Sequence, residues 1–130
     1  MNLKSYNVWH KLKTFLHNEK PRIFFKESEI WFCHLGENVG FEQDGKGDDF
    51  LRPVVIIRKF NNQVFWAVPL TSKIKDGLYY HNIEFNLGRK NSAILSQLRL
   101  IDCKRLKYKI GTLSKSEFLE LTKKLKELIP

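Results

Sequence analysis

A chain of 130 residues, 42% of them apolar, has the size of one ordinary domain and too much hydrophobic content for a disordered tail. Its net charge of +9 favours a polyanionic or acidic partner, and no apolar run approaches the roughly 18 residues that a membrane span needs. The basic N-terminus lacks the continuous apolar centre of a secretory signal, so a cytoplasmic protein without a membrane role is expected.

The first element predicted is an amphipathic helix. Val8, Trp9, Leu12, Phe15 and Leu16 fall on one stripe at helical spacing, with Ser5 or Asn7 as cap and Pro21 near the end of the following linker. Residues 1–28 are read as an accessory helix and linker, and residues 29–130 as the main domain. From Glu29 the pattern becomes strand-like, first in Glu29-Ile-Trp-Phe-Cys-His-Leu35. A polar loop punctuated by Gly36, Gly40, Gly45 and Gly47 follows. Arg52-Pro-Val-Val-Ile-Ile-Arg58 is a β-branched run with its proline at the start, where strands tolerate one. Asn61-Asn62 signals a turn, and Gln63 to Leu70 is the returning strand of a hairpin, with Trp31, Phe65 and Trp66 as core residues.

After the polar turn 73–77, strands are expected over Tyr80–Phe85, Ala93–Leu98 and Tyr108–Ile110. Many short strands with frequent turns favour a compact barrel or sandwich over a parallel sheet. The C-terminal helix carries the clearest local signals. Ser114 and Glu117 form a capping box, Leu113 and Phe118 sit at the positions of a hydrophobic staple, and Phe118, Leu121, Leu125 and Leu128 give one apolar face.

Cys33 and Cys103 have neither metal nor redox spacing and read as small buried residues in a reducing compartment. Cys33-His34 is half of a zinc motif without a second half, so no metal is expected. The positive charge is uneven: Arg99, Lys104, Arg105, Lys107 and Lys109 crowd one segment opposed only by Asp102. Lys123, Lys124 and Lys126 read as a solvated helix face.

Four strings in order carry a resemblance. They are Glu29-Ile-Trp; Gly40-Phe-Glu-Gln-Asp-Gly45 with Leu51-Arg-Pro-Val-Val-Ile56; Val68-Pro-Leu-Thr-Ser72; and Ser96-Gln-Leu-Arg-Leu-Ile-Asp102 with Arg105-Leu106 and Ile110-Gly111. Followed by a capped helix, they resemble the MazF/PemK family of toxin ribonucleases from about Glu29 to the end. The resemblance implies a mainly β, SH3-like small barrel with a C-terminal helix, to which this chain adds its N-terminal helix. It also implies a homodimer, a toxin of a toxin–antitoxin system, and cleavage of single-stranded RNA such as mRNA at short sequences. Further implications are inhibition by a cognate antitoxin with an acidic flexible tail, DNA binding together with that antitoxin, and no cofactor.

Metal-free RNA cleavage uses the 2′-hydroxyl as internal nucleophile, so the site must accept a proton, stabilise charge on phosphorus and protonate the leaving oxygen. Arg52 suits the second task, since its planar fork engages two phosphate oxygens and stays charged. Pro53 fixes the backbone beside it. Thr71 stands where the family places a catalytic threonine, and Ser72 and Lys73 follow as a second hydroxyl and a cation for RNA. Glu42 either positions Arg52, accepts a proton, or is a solvated loop carboxylate. Gln43 and Gln97 carry amides for RNA, and Arg99 binds either phosphate or an internal carboxylate. Phe41 either stacks on an unpaired base or anchors its loop; it stands where many members carry histidine.

Ile94 and Ser96 occupy the positions of an acid–base arginine–aspartate pair found in some members. That leaves the general base unassigned. It also keeps a second reading open, a non-catalytic RNA- or protein-binding barrel. A gyrase poison of the CcdB type is disfavoured by the chain end Glu127-Leu-Ile-Pro130.

Overall fold

The computed structural model describes residues 23–35 and 51–130. The accessory helix expected near the N-terminus therefore lies outside the described residues. The elements are β1 (Glu29–His34), β2 (Leu51–Lys59), β3 (Val64–Thr71), β4 (Tyr80–Phe85), β5 (Arg89–Ile94), β6 (Arg99–Asp102), β7 (Leu106–Thr112) and α1 (Lys115–Glu127). Two single turns of 3-10 helix, Leu95–Gln97 and Cys103–Arg105, separate β5 from β6 and β6 from β7. Among the described residues no helix is long and apolar enough to cross a membrane.

All strand pairs are antiparallel, in the order β4-β5-β3-β2-β1-β7 with β6 added to β3. The pivot is β3. Its first half pairs with β6, matching Phe65 to Ile101 and Ala67 to Arg99, while its last two residues pair with β5. The two ends of the sheet then meet. Asn86 Nδ2 donates to the Ile110 carbonyl, and a β-carbon on Gly111 would stand only 2.9 Å from the Phe85 ring. Glycine permits that approach and closes a small, mainly β barrel.

Local chemistry accounts for most elements. Val54, Val55, Ile56 and Ile57 give β2 its extended preference, and Asn61 Oδ1 fixes the hairpin turn by accepting the N–H groups of Gln63 and Val64 at 2.7 and 2.9 Å. Ser114 caps α1 by accepting Glu117 N–H at 3.2 Å. The reciprocal half of the expected capping box is not used: Glu117 Oε1 accepts Glu84 N–H instead. Lys124 Nζ likewise donates to the Tyr80 carbonyl at 2.8 Å. Helix side chains thus occupy the free backbone edge of β4, which would otherwise invite another strand.

Two apolar clusters fill the molecule, one on each face of β1-β2-β3. The first joins Trp31, Cys33, Val54, Ile56, Phe65, Ala67 and Ile101 with Phe25, Leu35, Cys103 and Leu106. The second joins Ile30, Val55, Val68, Leu70, Ile83, Phe85 and Ala93 with the α1 stripe Phe118, Leu121, Leu125 and Leu128. Leu121 is fully buried, and burial on that scale contributes about 1.5–3 kcal/mol. Leu113 and Phe118 both join this cluster, as a staple requires.

Three expectations change. The strand expected over Ala93–Leu98 ends at Ile94, because Leu95–Gln97 turns as 3-10 helix and a separate strand starts at Arg99. The strand expected over Tyr108–Ile110 begins earlier, at Leu106, and runs to Thr112. Trp66 is not a core residue. It is 42% exposed, packed edge-on against Phe60 at 4.9 Å, because it lies on the face of Val68 and Leu70, where the buried residues of β3 begin only at Val68.

Candidate ribonuclease site

Strand direction decides what the site contains. β2 enters the sheet at Leu51 where β1 leaves it at His34, and β3 leaves it at Thr71. The β2–β3 register pairs Val54 with Pro69 and Val55 with Val68. Continued two residues further, it sets Arg52 directly opposite Thr71. Residues so paired share a face, with β-carbons about 5 Å apart. That face is the one carrying Val54, Ile56 and Ala67. Both side chains are buried, Arg52 at 2% and Thr71 at 6% exposure. A guanidinium placed in such low-dielectric surroundings acts on an anion far more strongly than one in water.

The neighbours fix this pair in place. Arg52 pairs with Cys33 on its other side. Burial pushes the Cys33 thiol up to about 12, against the pull of Arg105 and Arg99, so it stays protonated at neutral pH and is no nucleophile. Thr71 pairs with Ser92 on β5, and its Oγ1 accepts Lys73 N–H at 3.3 Å, leaving the hydroxyl proton to donate. Ser92, fully buried, accepts Lys75 N–H at 2.8 Å and bonds Asn82 Oδ1. Those contacts tether the segment after Thr71 to the sheet. Ser92 and Asn82 were not singled out in the sequence, because their role depends on a strand pairing that no local pattern announces.

The remaining candidates divide. Ser72 and Lys73 are exposed immediately beyond Thr71. Gln97 is half-buried in the 3-10 turn that leads into β6. Arg99 begins β6 opposite Ala67, so it shares the face of Arg52 and Thr71 but does not continue the strand that precedes Gln97. Among the described residues it makes no ion pair with a carboxylate. Glu42, Gln43 and Phe41 lie outside the described residues. Of the acid–base positions, Ile94 is buried at the end of β5 and Ser96 is exposed.

Arg105 joins the same end. Its Nη1 donates to the His34 carbonyl at 3.3 Å, one residue beyond Cys33. The sequence marked it as part of a basic run and of a resembling string, with no role of its own.

A small antiparallel barrel with a buried guanidinium opposite a hydroxyl at one end of its sheet is an arrangement suited to holding an oxyanion. Residues 26–129 match the family described as PemK-like, MazF-like toxin of type II toxin-antitoxin system, and the chain belongs to that family. It is 28% identical over 105 residues to the endoribonuclease MazF of Staphylococcus epidermidis, covering 74% of this chain and 83% of the relative. The fold is shared with MazF from Deinococcus radiodurans, at a TM-score of 0.66 and 17% identity, covering 82% of this chain and 97% of that one. It is also shared with the Mycobacterium tuberculosis toxin MazF-mt6, at a TM-score of 0.58 and 16% identity, covering 76% and 93%.

Proposed function

We propose that this toxin is a metal-independent, sequence-specific endoribonuclease that cuts single-stranded RNA by attack of the substrate's own 2′-hydroxyl. The observation that carries the reading is the buried Arg52 opposite Thr71 on one sheet face. The 2′-oxygen gives up its proton and bonds to phosphorus while the bond to the 5′-oxygen breaks and that oxygen takes a proton from solvent, giving a 2′,3′-cyclic phosphate and a 5′-hydroxyl. Arg52 holds the two non-bridging oxygens, where charge accumulates, and its fixed fork needs no reorganisation as the transition state forms. The Thr71 hydroxyl donates to a phosphate oxygen or orients the 2′-hydroxyl. Glu42 is the candidate proton acceptor, and Gln43, Ser72, Lys73, Gln97, Arg99 and Phe41 hold the strand.

Two partners belong to the same reading. The antitoxin supplies an acidic flexible tail that competes with RNA for the cationic end; a solved MazE–MazF structure from Deinococcus radiodurans, with a TM-score of 0.60 to this chain, supports a protein partner. A second copy of the chain is the other. An apolar groove of ≈ 600 Å³, lined by Phe60, Trp66, Leu98, Phe118, Leu125 and Leu128 among others, offers a surface for the homodimer away from the Arg52–Thr71 end.

The test is digestion of a mixed unstructured RNA in EDTA, with product ends mapped and the 2′-deoxy counterpart as control. Cutting of RNA alone, with cyclic phosphate ends, is the expected result. Cutting of the deoxy strand, or loss of activity on chelation, overturns the mechanism, and absence of any cutting leaves a binding barrel.

A further inference from the structure

The groups that hold Thr71 stand on the strands behind it. The register carries one row of side chains across three strands: Thr71 at the end of β3, Ser92 on β5 and Asn82 on β4. Residues paired in this way share a sheet face. Ser92 is fully buried in the middle of the row, and Asn82 is exposed at its end. Beyond Thr71 the chain leaves the sheet, and Ser72, Lys73 and Ile74 are all exposed. An exposed stretch of this kind gains little from packing and keeps one conformation only where it is tied.

The tie is at Lys75. Ser92 Oγ accepts the Lys75 N–H at 2.8 Å and lies 3.5 Å from the Lys75 carbonyl oxygen. A serine hydroxyl has a single proton, and the nearer acceptor for it is Asn82 Oδ1. With that proton given to Asn82, the lone pairs of Ser92 are turned toward the Lys75 N–H. Holding Lys75 restrains the chain just before it, where Lys73 N–H reaches Thr71 Oγ1 at 3.3 Å. That bond is already long, so a small outward shift of the segment breaks it. While it lasts, it occupies acceptor capacity on Oγ1 and leaves the hydroxyl proton aimed elsewhere.

We propose that Ser92, oriented by Asn82, is a positioning residue for the Thr71 hydroxyl. The inference rests on the ribonuclease reading and extends it to two residues that reading does not use. Without the tie, the Thr71 side chain is released to its other staggered rotamers. A hydroxyl that must reorient as charge develops stabilises a transition state less than one already aimed. RNA binding, spread over many contacts, then changes little, and the chemical step slows.

The test is a mutant cycle on the full-length protein, with steady-state cleavage of an RNA oligonucleotide carrying the mapped cut sequence. Ser92→Ala is expected to lower kcat roughly fivefold and to leave KM within about twofold. In a Thr71→Val background the same change is expected to slow cutting by less than about twofold more, because groups acting through one hydroxyl are not additive. Asn82→Ala, at an exposed position, is expected to lower kcat roughly threefold. Asn82→Asp keeps the acceptor oxygen and is expected to restore it. Should Ser92→Ala fail to fold, the cycle is run on Asn82→Ala.

A kcat unchanged in these variants, with wild-type protein cutting RNA, overturns the positioning role and spares the ribonuclease reading. Equal slowing in both backgrounds, with a lowered thermal midpoint, makes Ser92 a strut of the β3–β5 pair and also overturns it. An Asn82→Asp protein as slow as Asn82→Ala overturns the orienting part of Asn82. Thr71→Val cutting at the wild-type rate overturns the proposal together with the role of Thr71. Wild-type protein that cuts no RNA overturns both readings.

Discussion

The two faces of β1-β2-β3 are built for different work. On one, Val55, Val68 and Leu70 meet the stripe of α1, and the buried side chains are almost all aliphatic or aromatic. On the other, the apolar cluster stops short of the sheet end, and there the pleat carries Arg52 and Thr71, with Val54 one step inward and Ala67 two. The same register that packs methyl groups thus also sets a guanidinium against a hydroxyl. Packing on the first face supplies the rigidity that a charge on the second requires. A fixed dipole or cation is worth more than a mobile one because it has no reorganisation left to undergo.

If that division is right, substitutions on the two faces separate activity from stability. Arg52→Ala is expected to retain the fold, seen by circular dichroism, and to cut RNA slower by 10²–10³-fold, or about 3–4 kcal/mol of barrier. A variant cutting at the wild-type rate breaks the comparison outright. Leu121→Ala, on the opposite face, is expected to lose about 3 kcal/mol in urea unfolding while the folded fraction keeps its specific activity. Thr71→Val keeps shape and removes the hydroxyl. It is expected to slow cutting roughly tenfold or more and to lower stability by about 1 kcal/mol through the lost Lys73 N–H bond.

Ser114→Ala removes the cap of α1 and is expected to lower stability by about 1 kcal/mol with activity intact, read from the shift in denaturant midpoint. The smallest effect concerns pH. Burial alone would raise the Glu29 carboxyl, but hydrogen bonds from Lys109, Trp31 Nε1 and the Lys26 N–H outweigh it and hold its pKa below the usual 4.5. The unfolded chain therefore binds the proton more readily, so Glu29 stabilises the fold at neutral pH. That contribution fades as pH falls from about the usual value through the lowered one. Glu29→Gln is expected to flatten the acid limb of the stability profile, and an unchanged limb would show that other carboxylates set it.

Local signals in the sequence were sufficient for much of this. Aromatic and β-branched runs marked β1, β2 and β3; Asn61 marked the β2–β3 hairpin; Ser114, Leu113 and Phe118 marked the start of α1. Arg52 and Thr71 were legible as candidates because the strings around them resemble a family, not because anything in those strings brings them together. The arrangement of the rest was not legible. The 3-10 turn at Leu95–Gln97 cuts short the strand expected to reach Leu98 and moves Arg99 onto a new one. Arg105 looked like one charge among many until the His34 carbonyl gave it an address. Trp66 looked like core because Val64, Phe65, Ala67 and Val68 around it are apolar, yet it is exposed and packs edge-on against Phe60.

By itself, then, the sequence determined which segments extend, where they turn and where the helix starts, since those follow from backbone preference and from contacts a few residues apart. The tertiary structure alone decided that residues 52 and 71 share a face, that β6 delivers Arg99 to the same end, and that Glu117 serves β4 rather than its own helix. Those outcomes depend on pairing between distant strands, where a shift of one residue would turn each side chain to the opposite side of the sheet.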